Sequence, residues 1–400
     1  MRKSTSLRRH PVYRLFLWVA LAASLALLWR MNALVLSNPK YIPVDDFSHY
    51  WAAGRLNTTG GNPYDPQQVQ QLRNRIVREE TSYATIPIMW SPPWSMPFVM
   101  PFGALDYPAS RLLWLIAQVT IILACVKKTW EFLGGTGRTI AMAWGITFIF
   151  GPTISVLEKG QITPLVLAGI TGFVYFAEYK KNDLVAGMFA VLIALKPQLY
   201  YLFWPIMLVW TLTFRRWRVL LGGLMMSVAA ILIPLVFNPS LLDQYLYAVQ
   251  HYPPTDWATP TLGGYLRLVF GIDNFWLQFV PALLGLAWTG YYWQKHRKDW
   301  RWLETTPILL LISILTAPYA WTYDQVILVP AILSAGVILS RHYLNRQTLI
   351  LWGVYTAISL LDLFLHRFLD EFWFGWLAPA WLTWYIIVRY SVSRKRQETA

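Results

Sequence analysis

The chain has 400 residues, of which 56% are hydrophobic and only 14% are charged, and its mean hydropathy is +0.39. A soluble protein carries about 25% charged residues, so this composition excludes an ordinary water-soluble fold. The formal net charge of +14 comes from short basic clusters between apolar segments, with no groove-reading motif beside them, which excludes a nucleic-acid-binding function.

Apolar segments of nearly membrane-spanning length recur along the chain. A helix needs about 20 apolar residues to cross a bilayer core of about 30 Å, and on this basis we predict about twelve spans. The fold class is therefore an all-α polytopic membrane protein with a single integral membrane domain over 1–400. The predicted spans lie near 13–36, 109–126, 139–157, 162–178, 183–196, 198–213, 218–237, 275–293, 305–318, 323–340, 347–366 and 372–389.

Basic clusters predict the orientation of these spans. The rule that cytoplasmic loops are rich in Lys and Arg places such clusters inside the cell. Alternation from a cytoplasmic N-terminus puts every cluster on the cytoplasmic side, so both termini of this multi-pass cell-membrane protein are predicted to be cytoplasmic. The first span is too long for a cleaved signal peptide. The clusters are Arg8-Arg9, Lys127-Lys128, Lys180-Lys181, Arg215 to Arg218, Lys295 to Lys298 and Arg394 to Arg396.

Long loops then face the exterior over residues 37–108 and 238–274. The first of them holds the acidic pair Asp45-Asp46. It also contains a stretch with four prolines, Met89 to Phe102, which is too broken for a spanning helix. Such a stretch predicts a re-entrant or interfacial segment with short helices, because protein or water must satisfy the freed backbone groups.

Polar groups interrupt the apolar pattern on this exterior side, and the first is Asp46 with its neighbour Asp45. A carboxylate here can act as a base that accepts a proton from a substrate hydroxyl. The alternative is that Asp46 only caps the helix that follows it. The second group is Glu158-Lys159-Gly160-Gln161, where Gly160 fits a tight turn and Gln161 can bind a sugar or a phosphate. A plain helical hairpin turn is the alternative there.

The third group is Lys196-Pro197-Gln198, where a lysine near membrane depth predicts an anionic partner such as a lipid phosphate. The alternative is a side chain that extends to the membrane interface. The fourth is Tyr319 to Asp324, in which Asp324 can bind substrate or merely cap the next helix. Arg55 and Arg267 are expected to add phosphate contacts, because guanidinium groups bind phosphate in a fork.

No metal site and no cofactor are predicted. His49 has no second histidine at ligand spacing. The chain also lacks a P-loop, a dinucleotide-binding glycine pattern, a zinc-protease helix and a nucleophile elbow.

Several strings, in order and spacing over roughly residues 40–340, resemble the polyprenol-phosphate-mannose-dependent mannosyltransferases, glycosyltransferase family 87. The resemblance implies a C-class glycosyltransferase (GT-C) fold, whose first extracytoplasmic loop carries the catalytic aspartate. The strings are Asp46 to Ala53 with Gly60 to Pro66, Ser91 to Trp94 with Met100 to Phe102, Gly160 to Pro164, Lys196 to Gln198 and Pro318 to Asp324.

The resemblance implies an enzyme that moves a sugar from a polyprenyl-phosphate donor to a glycolipid or glycan acceptor at the extracytoplasmic face of the bilayer. Mannose is the expected sugar, and arabinose, glucose and galactose remain open. The aspartate that opens the first string is Asp46, which is therefore the expected general base of a metal-independent, inverting transfer. In some relatives a histidine follows the tryptophan of the last string, whereas this chain has Tyr323-Asp324 there. The expected substrate-binding residues are Asp45, His49, Tyr50, Arg55, Tyr64, Gln161, Lys196, Gln198, Trp321, Tyr323 and Asp324.

The alternative from another class is a secondary transporter or a flippase for lipid-linked sugars. Such proteins usually show paired repeats with broken helices in corresponding positions. The sequence shows no clear internal repeat. A third alternative is a structural subunit of a membrane assembly.

Overall fold

The computed structural model describes residues 45–77, 88–137, 139–253, 255, 257–340 and 346–398, with the side chains of 392–398 not described. Within these ranges the regular elements are all helical. The α-helices are α1 Phe47–Thr59, α2 Pro66–Val77, α3 Met96–Gly103, α4 Tyr107–Phe132, α5 Ile140–Ile149, α6 Gly151–Lys159, α7 Thr163–Val174, α8 Asp183–Ile193, α9 Phe203–Thr213, α10 Trp217–Phe237, α11 Leu241–His251, α12 Leu262–Phe270, α13 Val280–His296, α14 Trp302–Thr316, α15 Val329–Ser340, α16 Arg346–Leu365 and α17 Leu377–Glu398.

Short helical segments of other types join some of these helices. A π-helical turn, Tyr175–Tyr179, continues α7. The 3-10 segments are Pro93–Ser95, Phe275–Phe279, Arg297–Asp299, Thr322–Leu328 and Glu371–Phe374.

Every predicted span that falls on the described residues coincides with a helix or a pair of helices. By length and composition, 4 helices of the described part of the chain can cross a membrane: α4, α10, Thr322–Ser340 (the segment Thr322–Leu328 continued by α15) and α16. The pair α5 and α6, bent by 68°, brings the number up to 5. The helices α8, α9 and α14 are apolar but shorter. The chain is thus a helical membrane protein, and the count of about twelve spans stays a prediction. The first predicted span, 13–36, and the cluster Arg8-Arg9 lie outside the described residues.

Two spans show how the bundle is layered. In the most apolar stretch of Thr322–Ser340, 89% of the residues are buried in the protein, against 22% for α10. An apolar helix that is buried all round belongs to the centre of a bundle. The exposed apolar side chains of α10, such as Leu224 and Val236, form a surface suited to lipid.

The bundle has two chemically different ends. At one end, Lys128 lies 5.3 Å from the ring of Tyr175, and Arg216 pairs with Asp183 at 3.0 Å. At the other end, the start of α4 meets the end of α6 through hydrogen bonds from Arg111. The basic clusters around 128, 180 and 216 therefore lie at the end opposite to the Asp45-Asp46 pair.

The described part of the first predicted loop forms a compact support for that acidic pair. The stretch Met89 to Phe102 folds as the 3-10 segment Pro93–Ser95 followed by α3, which packs against α1. The backbones are in contact, because a Cβ atom on Gly54 would lie 2.7 Å from the carbonyl oxygen of Val99. This contact fixes α1, and with it the two aspartates at its start.

Candidate active site

Asp45 and Asp46 point in different directions. The Oδ1 atom of Asp45 accepts a hydrogen bond from the backbone N–H of Phe47 at 3.1 Å, and its Oδ2 atom pairs with Nε of Arg111 at 2.7 Å. The side chain of Asp46 makes no capping hydrogen bond, and its Oδ2 atom accepts from Nε2 of Gln161 at 2.7 Å. The side chain of Asp45 therefore makes the hydrogen bond to the backbone of α1, and the side chain of Asp46 is left available for another function.

Helix α4 holds the turn that carries Gln161. Arg111, Trp114 and Gln118 are three or four residues apart and so lie on one face of the helix. Arg111 donates to carbonyls at the end of α6 at 2.9 and 3.1 Å. Trp114 and Gln118 donate to the carbonyls of Gly160 and Gln161, each at 2.7 Å. Gly160 has a φ of +62°, in the left-handed region that glycine adopts readily. The turn is thereby fixed against α4.

The side chain of Gln161 links a carboxylate to a cation. Its Oε1 atom accepts from the hydroxyl of Tyr50 at 2.7 Å and from Nζ of Lys196 at 2.9 Å. Because two donors face Oε1, the amide NH₂ group has to face Asp46. Lys196 also pairs with Oδ1 of Asp324 at 2.7 Å. A continuous chain of contacts therefore runs from Asp46 to Asp324.

Asp324 both caps a helix and binds the lysine. Its Oδ2 atom accepts from the backbone N–H of Trp321 at 3.2 Å, which caps the segment Thr322–Leu328. Its Oδ1 atom accepts from the hydroxyl of Thr163 at 2.8 Å as well as from Lys196. The lysine side chain is 11% exposed and turned inward. Lys196 is thus paired inside the protein, as the first of the two alternatives from the sequence expects of a lysine with an anionic partner.

These groups form one wall of a cavity of about 410 Å³. Aromatic rings form much of the remainder: Trp257 lies 5.6 Å from Trp90 and 6.0 Å from Trp321, and Trp321 stacks on Tyr323. Such a volume suits a sugar-sized ligand. The predicted residues that line the cavity are Asp46, His49, Tyr50, Gln161, Lys196, Gln198, Trp321, Tyr323 and Asp324.

Other predicted binding residues do not line the cavity. The carboxylate of Asp45 is turned towards Arg111 instead. The guanidinium of Arg55 lies over the ring of Trp51 at 5.1 Å, one helical turn away. Tyr64 is buried and donates to a backbone carbonyl, and Arg267 donates to backbone carbonyls through Nε and Nη2. The structure therefore places these side chains away from the cavity and engages each of them elsewhere, and substrate contacts by them stay a prediction.

Burial changes the proton affinity of the groups at the start of α1. It raises the pKa of Asp46, although the hydrogen bond from Gln161 and the charge of Lys196 oppose the shift. It also raises the pKa of Asp45 to about 6, against the charge of Arg111. Burial and the charge of Arg73 lower the pKa of His49 to about 3. His49 is thus neutral at pH 7, and among the described residues its buried Nε2 atom has no hydrogen-bond partner.

The residues that hold the site in place were not predicted from the sequence. Arg111 is a charged residue within a predicted span, 109–126, and that signal could have identified it. No such signal marks Trp114, Gln118 or Thr163. Tryptophan and threonine are common in membrane helices, and the hydrogen-bond partners of all three residues are distant in sequence. Trp90 and Trp257, which line the cavity, were likewise not singled out as binding residues.

The arrangement can accept a proton and stabilise an anion. Asp46 is a partly exposed carboxylate with a raised pKa, which suits a general base. Lys196 lies on the same wall and offers a positive charge to an anionic group. Among the described residues, no cluster of His, Cys, Asp and Glu side chains has a geometry that would hold a metal ion.

The comparisons with known proteins identify one family. The model of glycosyltransferase family 87 matches residues 91–365, more than half of the chain. The matched region contains Gln161, Lys196 and Asp324 and begins after Asp46. No curated protein matches the chain. No solved structure matches it either.

Proposed function

Since the chain belongs to glycosyltransferase family 87 and is a membrane glycosyltransferase, we propose that it moves a sugar from a polyprenyl phosphate to a hydroxyl group of a glycolipid or glycan. Mannose is the proposed sugar. The observation that carries the proposal is the wall on which Asp46 and Lys196 both contact Gln161. This wall offers a base and a cation to one bound substrate pair.

In the proposed reaction, Asp46 accepts the proton of the acceptor hydroxyl as its oxygen attacks the anomeric carbon. The bond from that carbon to the phosphate oxygen breaks, and the electron pair leaves with the polyprenyl phosphate. Attack opposite to the leaving group inverts the anomeric centre. Burial raises the pKa of Asp46, which strengthens it as a base.

Lys196 is the proposed partner of the leaving phosphate. An ammonium has three N–H donors, and the contacts with Gln161 and Asp324 use two of them. The remaining donor can bind a phosphate oxygen, where negative charge grows as the bond breaks. The leaving group is a monophosphate, so the proposal requires no divalent cation to neutralise a diphosphate.

The distribution of charge supports an extracytoplasmic site. The basic clusters around 128, 180 and 216 lie at the end of the bundle opposite to Asp46. Loops rich in Lys and Arg remain in the cytoplasm. We therefore place the cavity at the extracytoplasmic face and both termini in the cytoplasm. In this arrangement a long isoprenoid chain can remain in the bilayer while its phosphate enters the cavity.

The experiment that tests this function uses the purified full chain with radiolabelled polyprenyl phosphate mannose and a set of glycolipid and glycan acceptors. Formation of a labelled acceptor supports the proposal. A parallel measurement with the protein in liposomes follows the intact donor across the bilayer. Movement of the intact donor without any labelled product would contradict the enzyme proposal and support the transporter or flippase alternative. Transfer from glucose, galactose or arabinose donors alone would correct the sugar.

A further inference from the structure

A chain of ionisable side chains lies at the end of α16, outside the cavity. Nδ1 of His366 is 3.1 Å from Oδ1 of Asp362, and Nε2 is 3.5 Å from Oε1 of Glu371. Asp362 is fully buried, and the side chain of Glu371 is 19% exposed. Burying carboxylates is costly unless they are paired, so such a group calls for an explanation.

Glu371 is bonded to the segment that lines the cavity. Its Oε2 atom accepts from the backbone N–H of Thr322 at 3.1 Å and from the hydroxyl of Thr322 at 2.6 Å. Thr322 stands between Trp321 and Tyr323, which both line the cavity, but it does not line the cavity itself. Glu371 therefore holds this segment from behind.

His366 in turn fixes Glu371. Its Nε2 atom is also 3.0 Å from the hydroxyl of Thr322, so three side chains meet at one point. The hydroxyl of Thr322, the imidazole of His366 and the carboxylate of Glu371 are the same three groups that form an activated nucleophile with its base and orienting acid in some enzymes. However, Thr322 is fully buried and its hydroxyl donates to Glu371. A covalent function for Thr322 is thereby excluded.

The same chain reaches a second element of the site. The Oδ2 atom of Asp362 packs against Gly151, the first residue of α6, where a Cβ atom would lie 2.1 Å from that oxygen. Helix α6 leads directly into the turn that carries Gln161. The ionisable chain therefore contacts both segments that supply the partners of Lys196.

We propose that Glu371 and His366 are positioning residues for the glycosyl transfer. They hold the segment Trp321 to Asp324 so that Asp324 keeps Lys196 beside Gln161. The inference rests on the proposed function, because it assumes that this segment binds substrate. Glu371 and His366 both follow residue 365, so they lie beyond the region that the family match covers.

The main test compares Glu371→Ala with Glu371→Gln, which keeps an oxygen acceptor for Thr322. The matched control is Glu304→Ala, an exposed glutamate paired only with Arg301 in the described structure. We expect Glu371→Ala to lower kcat by about 10-fold to 100-fold, because a small displacement of catalytic groups has effects of this size. Glu371→Gln should recover most of the rate, and the control should match the wild type.

The pH profile separates positioning from a simple loss of folded protein. The charge of Asp324 raises the pKa of Asp46, while the hydrogen bond from Gln161 and the charges of Lys196 and Lys159 lower it. If Asp324 moves away in Glu371→Ala and no longer holds Lys196 beside Gln161, the pKa-lowering charge of Lys196 is lost together with the smaller, opposite effect of Asp324, and the acid limb of the rate profile should shift to higher pH. A reduced amount of folded enzyme would leave the limb in place. An unchanged kcat together with an unchanged acid limb in Glu371→Ala would overturn the proposal.

Further variants and a second readout keep the test decisive. Where Glu371→Ala does not fold, Thr322→Val removes the hydroxyl bond and Thr322→Ser retains it, and only the first should lower kcat. Hydrogen exchange of residues 319–328 should be faster in Glu371→Ala or Thr322→Val than in the wild type, with α8 unchanged. Equal exchange rates in the variants and the wild type would contradict the proposal that Glu371 holds this segment in place. This readout applies even if the wild type transfers no sugar, an outcome that would reject the proposed function on its own.

Discussion

Lys196 and Asp324 form an ion pair on the cavity wall, with 2.7 Å between Nζ and Oδ1. Their side chains are 11% and 2% exposed, so water screens the pair only weakly. Removing one partner of a buried pair leaves an uncompensated charge, whereas removing both can be almost neutral. The pair therefore has to be judged as a unit, in stability and in catalysis.

Asp46→Asn should leave the fold intact and lower transfer by about 10²-fold or more, the scale of general-base catalysis. The amide is similar in shape but cannot accept the acceptor proton. Turnover of polyprenyl phosphate mannose by the purified variant is the measurement. Asp65→Asn is the matched control, because Asp65 does not line the cavity and asparagine keeps the oxygen that accepts the N–H of Gln67, although it loses the acceptor for Gln68. Unchanged turnover in Asp46→Asn would end the assignment of Asp46 as the base.

Asp45→Ala should lower stability and leave catalysis almost unchanged, which is the reverse of the result expected for Asp46→Asn. It removes the partner of Arg111, which is 7% exposed, and such a loss costs about 3–5 kcal/mol. We expect a lower melting temperature but a kcat per folded molecule close to that of the wild type, since Asp45 does not line the cavity. Thermal unfolding in detergent and active-site-normalised rates measure the two quantities. A normal melting temperature with lost turnover would show that Asp45 shares the chemistry.

Lys196→Met should lower both stability and transfer, because Asp324 loses its cation and the leaving phosphate loses its partner. The double variant Lys196→Met with Asp324→Asn should recover a melting temperature near that of the wild type. It should not recover transfer. Recovery of both properties would contradict the proposed contact with the phosphate and leave the pair with a structural function only.

The pH dependence of transfer should report on Asp46. The reaction needs the carboxylate, so kcat/KM should fall as pH falls through a pKa that burial raises above 3.8. Gln161→Leu removes the hydrogen bond that lowers this pKa, and it should move the acid limb to higher pH. The profile is measured with saturating acceptor and limiting donor. An acid limb near 3.8 in the wild type would contradict the raised pKa of Asp46.

Gly160→Ala should destabilise the turn that carries Gln161. Gly160 has a φ of +62°, and an added Cβ atom would lie 2.7 Å from Cβ of Phe47. The left-handed conformation alone costs about 1–2 kcal/mol for alanine. Gly145→Ala is the matched control, because Gly145 lies inside α5 and an added Cβ would meet nothing within 4 Å. Equal melting temperatures of the two variants would contradict the strain at Gly160.

The sequence was sufficient for features with a local signal. Apolar runs coincide with helices in the described residues, since hydrophobicity and length determine such helices directly. The prediction that Asp46, Gln161, Lys196 and Asp324 share one polar face agrees with the contacts between them. That prediction came from letting successive spans cross the membrane in opposite directions, because every second connection between spans then lies at the same end of the bundle.

Features that depend on the packing of distant segments could not be predicted from the sequence. The pair Asp45 and Arg111 is 66 positions apart in sequence, and which of two adjacent aspartates turns towards the cavity depends on how α4 packs on α1. Arg55 looked like a phosphate ligand, yet its position one turn after Trp51 places it over that ring. Glu371 lies 49 positions from Thr322, and nothing local predicts their bond.

The spacing of Lys196 and Asp324 has a consequence for biosynthesis. The two residues are 128 positions apart, so the ribosome delivers the ammonium well before the carboxylate that will neutralise it. The nascent segment that includes α8 and α9 therefore reaches the membrane before the partner of Lys196 has been synthesised. A polypeptide truncated before residue 324 would therefore lack the carboxylate that pairs with this ammonium.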